Sequence, residues 1–341
     1  MFGLLSFIYP QKMVVYFGEV ESNNIGDIAV YSVLRDRCSI GKRITPVAPG
    51  RRLSGRFLQR QLRRYSSIMI GGGTQFTSVN AEYLKTLIRC NDRVWSFGTG
   101  VGSCGFWEPP DSDLSEIVCY LNRINPLTVR GPLSQETLYK YNIKSTVIGD
   151  PAFGYANECE FFRGGKKILV NLLSPLDAGE SIIYQGFISN LASSLSVFRA
   201  KGWVIDFLAL GPGDYGYIDN FRSGFGFFES EITEIYTSVD RFFEVLRGIS
   251  LIISMRLHGA ILASCAGVPF LLCNYRPKCF DFAASIQQQA LLLSSKSSAS
   301  DIMNSIEYIL SNSHEISSAI KSKALYFRNL QSKFLKKQMS N

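Results

Sequence analysis

Apolar residues recur along the chain in short β-branched runs, each followed by a Gly-rich or polar turn and then by a stretch with helical spacing. The first run, 13–17 (MVVYF), predicts a strand, and 26–37 predicts a helix after the polar loop EVESNN. A second strand over 67–70 ends in Gly71-Gly72-Gly73, ahead of a helix over 81–90. Strand 93–97 leads into GTGVG, and helix 113–123, strand 127–129, helix 133–141 and strand 145–148 follow. The rhythm restarts after the polar stretch 157–166 (NECEFFRGGK) with strand 168–172, helix 185–200 and strand 203–208. Helix 238–248, strand 251–254, helix 259–266 and strand 270–273 complete it. Strands alternating with helices predict parallel α/β sheets rather than a sandwich or a bundle. The restart predicts two doubly wound, Rossmann-like domains facing a cleft, over 1–158 and 159–300. The serines of 294–300 offer an N-cap near Asp301, so 301–341 is set apart as a terminal helix, basic and amphipathic.

Composition narrows the chemistry. The 341 residues are enough for about two domains. With 46% hydrophobic residues, sustained disorder is excluded for most of the chain. Apolar runs fall far short of the roughly 20 residues a membrane helix needs. The N-terminus, MFGLLSFIYPQK, has no leading basic region and no small-residue cleavage site, so a cytoplasmic protein is expected. Eight cysteines without a C-x-x-C fit buried thiols in a reducing compartment. Only His258 and His314 are present, so neither a metal centre nor a metal cofactor is expected. Catalysis must rest on arginine, lysine, carboxylates and at most one histidine.

The formal charge of +8 is unevenly spread. Six arginines and no acid lie in 51–64 (RRLSGRFLQRQLRR), and six Lys/Arg with no acid lie in 321–337. Phe327, Leu330 and Phe334, with Ala324 a turn earlier, share a helical face. Such stretches fit core-packed helices with solvated basic faces, or peripheral contact with an anionic membrane or a lipid-linked substrate. No nucleic-acid recognition motif is present, and nucleic acid is not expected as a partner.

The strand-to-helix junctions carry the candidate chemistry. Gly100-x-Gly102-x-x-Gly105 matches the dinucleotide fingerprint in form, but Pro109-Pro110 bars the helix that should open there. Asp111-Ser-Asp113 could hold a metal but stands where a helix cap is wanted. Gly71-Gly72-Gly73 either lets a ligand approach the backbone or makes a tight turn. In Ser254-Met-Arg256-Leu-His258-Gly259, Arg256 and His258 fall between a buried strand and a helix N-terminus, which attracts anions. An arginine there can grip a carboxylate or phosphate in bidentate fashion, and an imidazole can move a proton near neutral pH. Lys278 follows the next strand, Arg130 another junction, and Asp27 the first, where helix capping is its alternative role.

Taken in order, these junctions resemble the polysaccharide pyruvyl transferase family. The resemblance runs through Asn24-x-Gly26-Asp27, Gly71-Gly72-Gly73, Gly98-Thr-Gly100-Val-Gly102, Val129-Arg130-x-x-x-Ser134 and Gly149-Asp150-Pro151-Ala152-Phe153. It ends in Arg256-Leu-His258-Gly259, Gly267-x-Pro269 and Tyr275-x-x-Lys278, so it spans about 14–282. Gly131 departs from the pattern, which carries an acidic residue there, and the arginine-rich 51–64 lies outside it. The resemblance implies a GT-B-like fold and transfer of the enolpyruvyl group of phosphoenolpyruvate to a saccharide as a ketal. It implies that Arg130, Arg256 and Lys278 hold this donor, helped by the backbone near Gly259, and that His258 delivers the proton. Asp27, or failing it Asp150, would be the acceptor-side base, and no cofactor beyond the donor substrate is implied. The acceptor would be a saccharide or lipid-linked oligosaccharide at the inner membrane face. The alternatives are a GT-B glycosyltransferase using a nucleotide sugar, and a non-catalytic member of a polysaccharide assembly complex.

Overall fold

Buried apolar runs build two parallel sheets in the computed structural model, which describes residues 13–20, 23–37, 44–47, 56–102, 113–156, 165–174 and 182–340. In the first half, β1 (Val14–Phe17), β2 (Ile44–Val47), β3 (Ser67–Gly71) and β4 (Val94–Phe97) lie in the order β2-β1-β3-β4. The short pair β5 (Thr128–Val129) and β6 (Thr146–Val147) continues this sheet through a parallel bridge between Thr99 and Val129. Around it lie α1 (Ile25–Ser32), α2 (Arg56–Leu62), α3 (Ala81–Cys90), α4 (Val118–Leu121) and α5 (Pro132–Tyr139).

The second half contains β7 (Lys167–Asn171), β8 (Val204–Ala209), β9 (Ile232–Glu234), β10 (Leu251–Ser254), β11 (Phe270–Cys273) and β12 (Leu292–Leu293). They form one parallel sheet in the order β12-β11-β10-β7-β8-β9. Its helices are α6 (Ile182–Ala200), α7 (Asp214–Gly224), α8 (Val239–Val245), α9 (Leu257–Ala266), α10 (Pro277–Ser285), α11 (Ala299–Ser311) and α12 (Ser313–Ser340). The continuous apolar runs of β10 and β11 are buried throughout, as sheets covered by helices on both faces require. Strand order reverses at β1, flanked by β2 and β3, and at β7, flanked by β8 and β10. Ligands of doubly wound sheets bind outside the carboxyl ends of the strands at such points.

Some elements differ from the expectations. The helix expected over 113–123 is a single turn, α4. Asp113 Oδ1 accepts from Ser115 N at 2.9 Å, a capping contact, while Asp111 lies outside the described residues. The stretch 157–164, where the domain boundary is expected, and 51–55 of the first basic stretch also lie outside them. The terminal helix is two helices, α11 with a Ser298–Asp301 capping box and α12 after Asn312. Among the described residues, no helix is long and apolar enough to cross a membrane.

Helix α12 packs most of its apolar face inward, the first of the two roles expected of it. Ile316, Ile320, Ala324, Phe327 and Leu335 are buried within the protein. Phe327 stacks on Phe153 with ring centroids 5.2 Å apart, and Phe334 packs against Trp95 and Phe97. Most of that face is therefore spent on the chain's own core, although Tyr326 is exposed. One apolar core runs through both halves, from Ile25, Met69 and Phe97 to Phe153, Leu257, Phe282 and Phe327. A second core, around Val15, Phe17, Ile68 and Leu87, fills the other face of the first sheet.

Candidate functional site

Strand ends of both halves deliver one buried polar cluster. After β10, Arg256 is the N-cap of α9 and His258 lies in the first turn. The imidazole packs on the first turn of α1 so closely that a Cβ at Gly26 would overlap Nδ1. Asn24 Oδ1 caps that turn by accepting from Gly26 N at 2.9 Å. Nε2 of His258 stands 3.6 Å from Oδ1 of Asp150, an ion-pair separation longer than a hydrogen bond. Asp150 follows β6 and is itself a cap, since its Oδ1 accepts from Ala152 N at 3.0 Å. Arg130 follows β5, is 1% exposed, and holds Nη1 3.9 Å from Asp150 Oδ2 and Nε 3.9 Å from Asp281 Oδ2.

The cluster has unused hydrogen-bonding capacity. Nε and Nη2 of Arg130, Oδ2 of Asp150 and Nε2 of His258 are each buried without a hydrogen-bond partner. Buried polar groups are nearly always paired, and leaving them unpaired is costly, so these atoms have hydrogen-bonding capacity left for a water molecule or a polar ligand. Burial alone would push the Asp150 carboxyl up, but His258, Arg130 and the Ala152 amide outweigh it and hold it below its ordinary value. Tyr16, fully buried in β1, has its hydroxyl pushed far above its usual range by burial and by the charges of Asp27 and Asp150. It stays a neutral phenol beside those carboxylates.

The other expected site residues are placed differently. Arg256 does not join the cluster: its Nε and Nη2 donate to the buried Asp214 at 2.7 and 2.6 Å. Asp214 also accepts from Leu210 N and Asn171 Nδ2, so the pair braces the β10–α9 turn instead of offering an open fork. The Gly259 amide donates to Arg256 O at 3.0 Å, which engages the donor expected to face an anion. Gly71 and Gly72 pack against Tyr16 and Val30, and it is Thr74 beyond them that reaches a cavity. Ser134 Oγ accepts from Val101 N and donates to Asp281 Oδ2, a structural relay. Asp27, half-buried in the first turn of α1, lies near enough to Tyr16 to act on its hydroxyl.

Lys278 lines a cavity of about 250 Å³ between the halves. Thr74, Thr77 and Asn80 lie on one side of it, and Arg276 and Lys278 on the other. Its lining does not include Arg130, Arg256 or His258, so the expected cations part three ways: Arg130 in the buried cluster, Arg256 on Asp214 and Lys278 at this cavity. Asp214, Asp281, Gln331 and Tyr16 belong to the site without any motif to announce them. Only Gln331 had a usable signal, being a polar residue on the apolar stripe of Ala324, Phe327 and Leu335. It is 3% exposed and donates to the carbonyls of Ile148 and Asp150 at 3.0 and 2.8 Å.

The family model for polysaccharide pyruvyl transferase matches residues 24–277. No curated protein sequence matches the chain. Among solved structures, an α,α-trehalose-phosphate synthase (UDP-forming) from Burkholderia vietnamiensis is similar with a TM-score of 0.54 and 10% identity. That match covers 97% of this chain and 99% of the synthase. UDP-GlcNAc 2-epimerase from Methanocaldococcus jannaschii, in complex with UDP-GlcNAc and UDP, gives a TM-score of 0.50 at 10% identity. It covers 88% of this chain and 93% of the epimerase. What these structures share with the chain is the GT-B arrangement of two Rossmann-like halves.

Proposed function

The chain belongs to the polysaccharide pyruvyl transferase family, and on that premise we propose that it moves the enolpyruvyl group of phosphoenolpyruvate onto a saccharide, closing a pyruvate ketal. The observation that carries this reading is the Arg130–Asp150–His258 cluster, whose buried polar atoms lack partners. A donor with both a phosphate and a carboxylate would satisfy the Arg130 guanidinium with charge-assisted hydrogen bonds. His258, with Asp150 as its counter-ion, would protonate the methylene carbon of the donor. The adjoining carbon becomes oxocarbenium-like and is attacked by a sugar hydroxyl, whose proton passes to a base. Asp150 already faces His258, which leaves Asp27 as the acceptor-side base. The carbon–oxygen bond to phosphate then breaks, a second hydroxyl adds and loses its proton, and the ketal and inorganic phosphate result. Arg256, fixed on Asp214, holds the turn that presents His258. The hydroxyl and amide groups of Thr74, Thr77 and Asn80 suit a saccharide, with Arg276 and Lys278 opposite for an anionic group it carries. A lipid-linked precursor in cell-surface glycan synthesis has that chemistry.

The test is phosphate release from phosphoenolpyruvate in the presence of pooled glycan acceptors. His258→Ala should lower the rate at least about 10²-fold, the ordinary contribution of a general acid. His314→Ala, on the exposed start of α12, should leave it unchanged. Full activity without His258, or equal loss from His314→Ala, overturns the assignment. Turnover of a nucleotide sugar with no response to phosphoenolpyruvate would favour a glycosyltransferase instead.

A further inference from the structure

Helix α5 lacks a cap of its own. Its N-cap is Gly131, which has no side chain, and Pro132 at the first position has no amide hydrogen. The first orphan donors are therefore the amides of Leu133 and Ser134. Both donate to Oδ1 of Asp281, at 2.9 and 3.2 Å, from α10 in the other half. The second carboxylate oxygen accepts from Ser134 Oγ at 2.6 Å and approaches Arg130 Nε at 3.9 Å. Asp281 is 2% exposed, so these contacts are shielded from water and salt. A Cβ at Gly131 would overlap both Asp281 Oδ1 and the backbone carbonyl oxygen of Asp281, so the close approach of α10 leaves no room for a side chain at 131 whatever stands at 281.

The same carboxylate ties together the two sides of the cavity. Ser134 Oγ, which donates to Asp281, also accepts from the amide of Val101, which lines the cavity. Lys278 lies on the opposite side, about one turn before Asp281 on the same helix. We propose that Asp281 is a positioning residue: from the second half it supplies the missing cap of α5, and so fixes the Arg130 guanidinium and the spacing of the cavity sides. Its effect on donor binding rests on the functional reading above, whereas its effect as a cap does not.

The experiment removes the cap acceptors in part or altogether. Asp281→Asn, which keeps one acceptor oxygen, and Asp281→Ala, which keeps none, are compared with the unaltered protein, by thermal unfolding and by calorimetric titration with phosphoenolpyruvate. Asp281→Ala should lower the unfolding temperature by about 1–3 °C, as expected for loss of a helix cap in a protein of this size. It should also weaken donor binding about tenfold. Asp281→Asn, whose amide oxygen can still accept from the Leu133 and Ser134 amides, should show less than half of either loss, and it keeps the test open should Asp281→Ala fail to fold. An unfolding temperature unchanged in both variants overturns the cap. Equal donor affinity in all three proteins overturns the positioning role and leaves a structural one. If the unaltered protein does not bind phosphoenolpyruvate, the functional reading falls and the positioning of the donor with it, while the unfolding comparison still decides the cap.

Discussion

Gly26 is needed because of a residue from the other half of the chain: His258 Nδ1 occupies the space a side chain would take. Two motifs distant in sequence, Asn24-x-Gly26-Asp27 and Arg256-x-His258, are thus one packing unit. Gly26→Ala adds a single methyl group in a helical turn that accepts alanine well, so the fold should survive. The imidazole must move, and a displacement of about 1 Å typically costs on the order of 10² in rate. Phosphate release assays should show that loss with an unchanged circular dichroism spectrum; retained activity would mean that the imidazole is not the proton donor. Asp150 sets a pH dependence. Its carboxyl is held below its ordinary value in the folded state, so the unfolded chain binds its proton first as pH falls. The resulting stability is complete above the unfolded value of about 3.9 and is lost as pH drops through the lower folded one. Urea unfolding between pH 7 and pH 3 should show it. Asp150→Asn should flatten that acid limb and cost about 3 kcal/mol at pH 7, because Arg130 loses a buried counter-charge.

Helix α12 connects stability to the site. Gln331 donates to the carbonyls of Ile148 and Asp150, and Phe327 covers Gly149 between them. Gln331→Leu preserves volume and leaves two buried carbonyls without that donor, a loss of about 1–3 kcal/mol by denaturant titration. It should also lower turnover, since the Asp150 backbone loses its anchor; unchanged stability and activity together would contradict this role. The sequence pattern contained nine of the twelve strands named above, missing β2, β9 and β12, and helix α3 agrees with its expected 81–90 span, because β-branched runs and amphipathic spacing are local signals. Helix α7 had no such signal. Its surroundings, GPGDYGYIDNFRSGFG, are rich in glycine and carry little apolar periodicity, so the Asp214 that pairs with Arg256 was hidden. Asp281 was hidden in α10 for a similar reason, behind Arg276-Pro277-Lys278. Junction residues such as Arg130 and His258 were legible because their chemistry is unusual at strand ends, whereas Asp150 stood out only through the family resemblance. Their partners were not, because pairing across the fold leaves no trace in local order.

Between the halves the contacts are those of a core rather than of two domains touching. The main hydrophobic cluster is continuous through both sheets and α12, and Ile25 N donates to Leu210 O across the seam. Cys265 Sγ reaches Ala152 O at 3.5 Å, and Arg328 Nη1 donates to Ala156 O at 3.0 Å. Domains joined by a small polar interface move and unfold separately, whereas halves that share an apolar core cannot expose one side without the other. The whole described fold should therefore unfold in one transition, with calorimetric and van't Hoff enthalpies in agreement. Because Arg130 and Asp150 come from one half and His258 from the other, activity should vanish at the same urea concentration as far-UV circular dichroism. Removing 313–340 exposes Phe153, Trp95 and Phe97, which α12 covers, and should split the transition and abolish activity together. Two separate transitions in the intact protein, or activity lost well before the fold, would mean that the halves move independently and that the site is assembled only on closure.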